Sequence, residues 1–164
     1  MSTYAGYGFD VRDISEENLF RFFMKYDSAD RIEEMITETL GVSKGPGQLT
    51  GDDTKKLVGA VRKYIEGGCE TVADYVADTI NYGEKEARHM HRQDVVTVCD
   101  EYVVFPPVMF PNDGKERLKR IKNRKDFVSM IRDYIPDKDL VFGPVYDGPE
   151  FANHDYWMGT PDKQ

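Results

Sequence analysis

No stretch of this chain carries a recognisable catalytic signature. It contains no G-x-S-x-G and no H-E-x-x-H. The glycines of KGPGQLTGDDTKK fit neither G-x-x-x-x-G-K-[ST] nor G-x-G-x-x-G, so no phosphate-cradling loop is read there. Cysteine is scarce. Cys69 and Cys99 stand far apart and neither belongs to a C-x-x-C, which excludes a disulfide framework and predicts two reduced, largely buried thiols. Long apolar runs are missing too. The longest lie around residues 95–98 and 103–110, the second interrupted by Pro106 and Pro107, whereas a membrane span needs about 20 apolar residues. The opening MSTYAGYGFDVRD has no basic stretch followed by an apolar one, so it does not read as a secretory signal. The expectation is a soluble, cytoplasmic protein.

What is present is an ordinary globular composition with an acidic excess. The 164 residues are 40% hydrophobic and 12% aromatic, enough for one domain, residues 1–164, with a core of its own. With 22 basic and 30 acidic residues the formal charge is −8. Such a chain repels nucleic acid and anionic membranes as general partners.

Periodicity then divides the chain. In residues 5–14, Tyr7, Phe9 and Val11 alternate with Gly8, Asp10 and Arg12, the pattern of a half-buried strand. A helical subregion follows over about 15–88. Ser15 is a candidate N-cap, with Leu19, Phe20, Phe22, Phe23 and Tyr26 inward. A second helix starts at Asp27 or Ser28 and ends before Gly41, with Ile32, Met35, Ile36 and Leu40 on one face. Residues 41–53 read as the most flexible loop. A third helix over about 53–65 stops at Gly67 and Gly68. A fourth buries Val72, Tyr75, Val76 and Ile80 and ends near Gly83.

A mixed strand and helix subregion spans about 94–158. DVVTVCDEYVVF is one long strand or a tight pair, ended by Pro106, Pro107 and Pro111. Residues 114–135 return to helical spacing, with a break near Asn123. DLVFGPVYDG is a strand with a kink or bulge at Gly143–Pro144, and the tail frays after Gly159. An amphipathic strand needs partners, so the predicted fold is α+β: a single domain with a mainly antiparallel sheet built from N- and C-terminal strands and about five helices packed on it.

Four groups are candidate sites. The carboxylates Asp30, Glu33, Glu34 and Glu38 would present fixed negative charge on the second helix. The run KERLKRIKNRK supplies Lys115, Arg117, Lys119, Arg120, Lys122, Arg124 and Lys125, a local charge of +6 that leaves −14 on the rest of the chain. It is a competing docking face for an anionic partner, and the one place where direct nucleic-acid contact is conceivable. His89 and His91 have Glu84, Glu86 and Asp94 nearby but lack a third spaced ligand, and Arg88 and Arg92 flank them. No metal and no cofactor are therefore expected. The aromatic residues Tyr4, Tyr7, Phe142, Tyr146, Phe151, Tyr156 and Trp157 either form a binding surface or seal the sheet where the ends of the chain meet.

The acidic helices, the YGFDVRDISEENLF opening and the DLVFGPVYDG close resemble small accessory proteins of phages and mobile elements. In style the chain is similar to anti-CRISPR and other anti-defence inhibitors. The resemblance implies a non-enzymatic inhibitor that binds a basic nucleic-acid-processing protein, such as a CRISPR nuclease, without doing chemistry. The alternative is a small cytosolic enzyme or ligand-binding domain whose site assembles only in three dimensions.

Overall fold

The computed structural model describes residues 4–88, 95–109, 124–147 and 162–163. Strand β1 (Tyr4–Asp10) leads into four helices: α1 (Glu16–Tyr26), α2 (Ala29–Leu40), α3 (Gly51–Gly67) and α4 (Val72–Arg88). Strands β2 (Thr97–Cys99) and β3 (Tyr102–Met109), helix α5 (Arg124–Tyr134), and strands β4 (Val141–Asp147) and β5 (Asp162–Lys163) complete the described elements. The strands form one antiparallel sheet in the order β2-β3-β1-β4-β5. The N-terminal strand therefore occupies the centre, between strands from the other end of the chain, and the fold is α+β as the pattern of elements predicts.

Alternation in β1 sorts its residues between the two sheet faces. Tyr7 and Phe9 are buried in the main core. Phe9 stands opposite Val103 on one side and Phe142 on the other. Its ring meets that of Phe142 edge-on at 5.7 Å, and Phe127 of α5 closes the group at 6.0 Å from Phe142. Gly8 points the other way, where a Cβ would collide with the Val103 carbonyl and come within 3.0 Å of the Val104 Cα. Glycine here permits close approach of neighbouring backbones. The strand ends at Asp10, earlier than the alternation predicts, because the Asp10 carboxylate accepts from the Arg12 N–H at 2.8 Å and caps a 3-10 turn over Val11–Asp13.

The helix signals mostly hold. Ser15 Oγ accepts from the Asn18 N–H and Ser28 Oγ from the Arg31 N–H, each at 3.2 Å. Gly41 ends α2 with φ +74°. Residues 41–53 are not a plain loop. Pro46–Gln48 form a 3-10 turn, and α3 starts at Gly51 because Thr50 and Asp53 cap each other reciprocally at 3.0 and 3.1 Å. Lys44 Nζ lies 2.8 Å from Asp53, and this bond, with the Thr50 N–H, holds the Asp53 carboxyl down to about 2.

Four other features depart from the sequence reading. The thiols are free but not largely buried: helix α3 ends at Gly67 with Gly68 as its cap, as the glycine pair predicts, but Cys69, which follows with a left-handed φ of +64°, is exposed and Cys99 is half-buried. Helix α4 continues through Gly83 to Arg88. The glycine is there for packing: a Cβ would sit 2.9 Å from the Tyr134 hydroxyl. Strand β3 passes through Pro106 and Pro107, because its pairing with β1 shifts register between Ala5 and Tyr7, and such a bulge tolerates residues without an N–H. The β1–β4 register stays regular across Gly143 and Pro144, so no bulge lies there, and Asp162 and Lys163 pair with Phe142 and Val141 where fraying was predicted.

Two buried polar side chains tie the halves together. Asn81, 7% exposed, accepts from the Val95 and Val96 N–H groups at 2.9 Å and donates to the Val96 carbonyl at 2.8 Å, joining α4 to the approach to β2. Asp137, 4% exposed, accepts from the Ser15 N–H at 2.7 Å and the Asp139 N–H at 3.0 Å, joining the start of α1 to the turn before β4.

Candidate functional site

Helix α2 buries Ile32, Met35 and Ile36 and leaves Asp30, Glu33, Glu34 and Glu38 exposed. Of these four carboxylates, Glu34 and Glu38 are brought together in a cleft of about 630 Å³ between α2 and α3, whose other walls include Arg31, Lys63, Tyr64 and Glu70. Asp30 and Glu33 are exposed on α2 but do not line it.

The cleft is built across elements. Tyr64 on α3 donates its hydroxyl to Glu34 Oε1 at 2.7 Å. Burial first, and then this carboxylate, push the Tyr64 phenol upward from its ordinary value. Arg31 lies over two rings, 5.6 Å from the centroid of Tyr64 and 5.8 Å from that of Tyr75. Its Nε is 3.7 Å from Asp27 Oδ1. Burial works to lower the Arg31 pKa, but Asp27 and Tyr64 outweigh it and the guanidinium is held charged. Asp27 also accepts from the Ser28 N–H at 2.7 Å and from the Tyr75 hydroxyl at 2.6 Å.

A second cleft, of about 490 Å³, shares Arg31 and Glu70 with the first. Its walls combine Tyr26, Tyr75, Tyr82 and Tyr134 with the carboxylates of Asp27 and Asp78, and Lys25 stands among them. Burial pushes Glu70 upward; Asp78, Asp74 and Asp27 add to that against the pull of Arg31. A third, smaller hollow of about 160 Å³ lies on the opposite sheet face beside Gly8, Asp10 and Gly143.

The competing basic face falls almost wholly elsewhere. Lys115, Arg117, Lys119, Arg120 and Lys122 lie outside the described residues. Arg124 opens α5 and Lys125 is exposed there. His89, His91 and the tail aromatics Phe151, Tyr156 and Trp157 are also outside. Of the terminal aromatics, Tyr7 and Phe142 are core residues, and Tyr4 and Tyr146 stand on β1 and β4. Among the described residues no group of three or more His, Cys, Asp or Glu is placed to hold a metal ion, and no helix is long and apolar enough to cross a membrane.

Sequence reasoning did not single out Arg31, Tyr64 or Glu70, since they stand apart in the chain, on α2, on α3 and in the connection from α3 to α4. One signal was available. Tyr75, Asp78 and Tyr82 are spaced by three and four, so they share a stripe of α4. The chain matches no protein-family model, no curated protein and no solved structure.

Proposed function

We propose that this chain is a non-enzymatic interaction protein that docks on a basic surface of a nucleic-acid-processing protein and competes there with nucleic acid, as an inhibitor of the anti-CRISPR type does. The observation that carries this reading is the pairing of Glu34 and Glu38 in one open cleft with Glu70. These carboxylates stand on or beside helices anchored by buried side chains, so their charge is presented in fixed positions. Lys and Arg side chains that normally hold phosphates would meet a comparable arrangement of negative charge.

Association of this kind is fast and weakens with salt, because charges separated by more than about 8–10 Å are screened at physiological ionic strength. The test is capture of partners from the native host by the tagged full chain, with mass spectrometry and an inhibition assay on the captured enzyme. Reversal of Glu33, Glu34 and Glu38 to Lys abolishes capture if the α2 face is used. Neutralising Lys119, Arg120 and Lys122 abolishes it if the basic run is used. If neither set alters binding while both variants keep the wild-type melting temperature, charge complementarity is the wrong account.

A further inference from the structure

The second cleft has a composition that the docking reading does not by itself require. Helix α4 contributes Tyr75, Asp78 and Tyr82 from one stripe, and Tyr82 is 70% exposed. The C-terminal end of α1 brings Tyr26, and the last residue of α5 is Tyr134, whose ring lies 5.2 Å from that of Tyr26. Gly83 gives Tyr134 room to lie against α4. Three elements therefore build a phenol-walled hollow of about 490 Å³, within the size range of small-ligand sites.

The rings already act as seats for cations. Lys25 Nζ is 5.1 Å from the Tyr26 centroid, and the Arg31 guanidinium faces Tyr75. Arg31 is taken up by Asp27. Asp78 is different: it lines the hollow one helical turn from Tyr82 and enters no ion pair with another described residue, whereas Glu70 feels the pull of Arg31. An exposed ring one turn from such a carboxylate is the surrounding that a planar guanidinium prefers, since it stacks on an aromatic face and forks its N–H groups onto carboxylate oxygens.

We infer that the cleft between α1, α4 and α5 is a binding site for one arginine side chain of a protein partner, stacked on Tyr82 and paired with Asp78. The source of the arginine rests on the docking reading, and the site itself does not. An ammonium group lacks the flat face and the fork, so arginine is favoured over lysine.

The experiment titrates the full-length chain with the blocked tripeptide acetyl-Gly-Arg-Gly-amide and follows backbone amide resonances. The expected result is saturable shifts centred on Asp78, Tyr82 and Gly83. The citrulline peptide, the same shape without the charge, binds roughly tenfold or more weakly. Y82A and D78N each weaken the arginine peptide several-fold at an unchanged melting temperature, because both side chains sit at the surface of the cleft. D52N, exposed at the start of α3 and in the wall of neither cleft, leaves it unchanged. Equal shifts from the arginine and citrulline peptides, or shifts that Y82A and D78N do not reduce, would overturn the inference. Peptide binding together with failed capture of any basic protein upholds the site and sinks the docking reading. Capture without peptide binding does the reverse.

Discussion

Tyr75 donates its hydroxyl to Asp27 Oδ2 at 2.6 Å, fastening the middle of α4 to the junction of α1 and α2. The Asp27 side chain is only 8% exposed, and the bond sets the wall shared by Arg31 and the second cleft. Y75F removes one of its donors and leaves the Ser28 N–H and the more distant Arg31. The expected cost is about 1–2 kcal/mol, since the acceptor is charged and stays buried. Urea unfolding of the two proteins measures it. Burial, followed by Asp27, pushes the Tyr75 phenol upward from its ordinary value of 10.0. A group raised in the folded state contributes in full below its unfolded value and loses that contribution as pH rises past it. The gap between wild type and Y75F therefore narrows above pH 10. A gap that is zero at neutral pH would show that the bond contributes nothing.

Asp137 works in the opposite pH range. Burial pulls its carboxyl upward, but the N–H groups of Ser15 and Asp139 prevail and lower it from 3.8. A depressed carboxylate contributes fully above its unfolded value, and the contribution disappears as pH falls through the folded one. D137N should cost about 1–3 kcal/mol at pH 7, and the difference should shrink below about pH 4. Parallel stability curves for the two proteins from pH 7 to pH 3 would contradict the assignment.

Much of this architecture is legible in the sequence because its determinants are local. The alternation of Tyr7 and Phe9 marks a strand, the oxygens of Ser15 and Ser28 mark helix starts, and Gly41 marks a helix end. What is not legible depends on a partner element. Pro106 and Pro107 look like terminators until β1 supplies the bulged register that accepts them. Gly83 looks like a stop until Tyr134 arrives to use its space. The candidate site is the extreme case. Glu34 and Glu38 can be placed on one helix face by counting, but Arg31, Glu70 and Tyr134 join the clefts only through packing of separate helices.

Three backbone positions should respond to substitution with different signs. G8A drives a Cβ into the backbone of β3, where no side chain can move aside. It should lower stability by about 3 kcal/mol or more, at or beyond the usual cost of overpacking. G59A places a methyl group in open space on an exposed turn of α3 and should stabilise by about 0.5–1 kcal/mol. C69G relieves a left-handed φ of +64° and should gain up to about 1 kcal/mol. Thermal melts of the three variants check the order G59A and C69G above wild type above G8A. A G8A protein as stable as wild type would mean that β1 and β3 do not approach as closely as described.

The position of β1 makes the strongest demand on the fold. It is the only described link between the β2–β3 pair and the β4–β5 pair. Removing residues 1–13 therefore separates the sheet into two fragments of two strands each, and isolated two-stranded ribbons are marginal in water. It also takes Tyr7, Phe9 and Val11 out of the core, each of them buried. At about 1.5–3 kcal/mol for a large apolar side chain, these losses alone approach the 5–15 kcal/mol by which a typical domain is stable. The truncated chain should show no cooperative thermal transition. In the intact protein, the amides of Tyr7 and Phe9 should exchange with solvent more slowly than those of Val98 in β2 or Asp162 in β5, which lie at the two edges. A truncated protein with an unchanged melting temperature, or edge amides protected as strongly as those of β1, would sink the central placement of this strand.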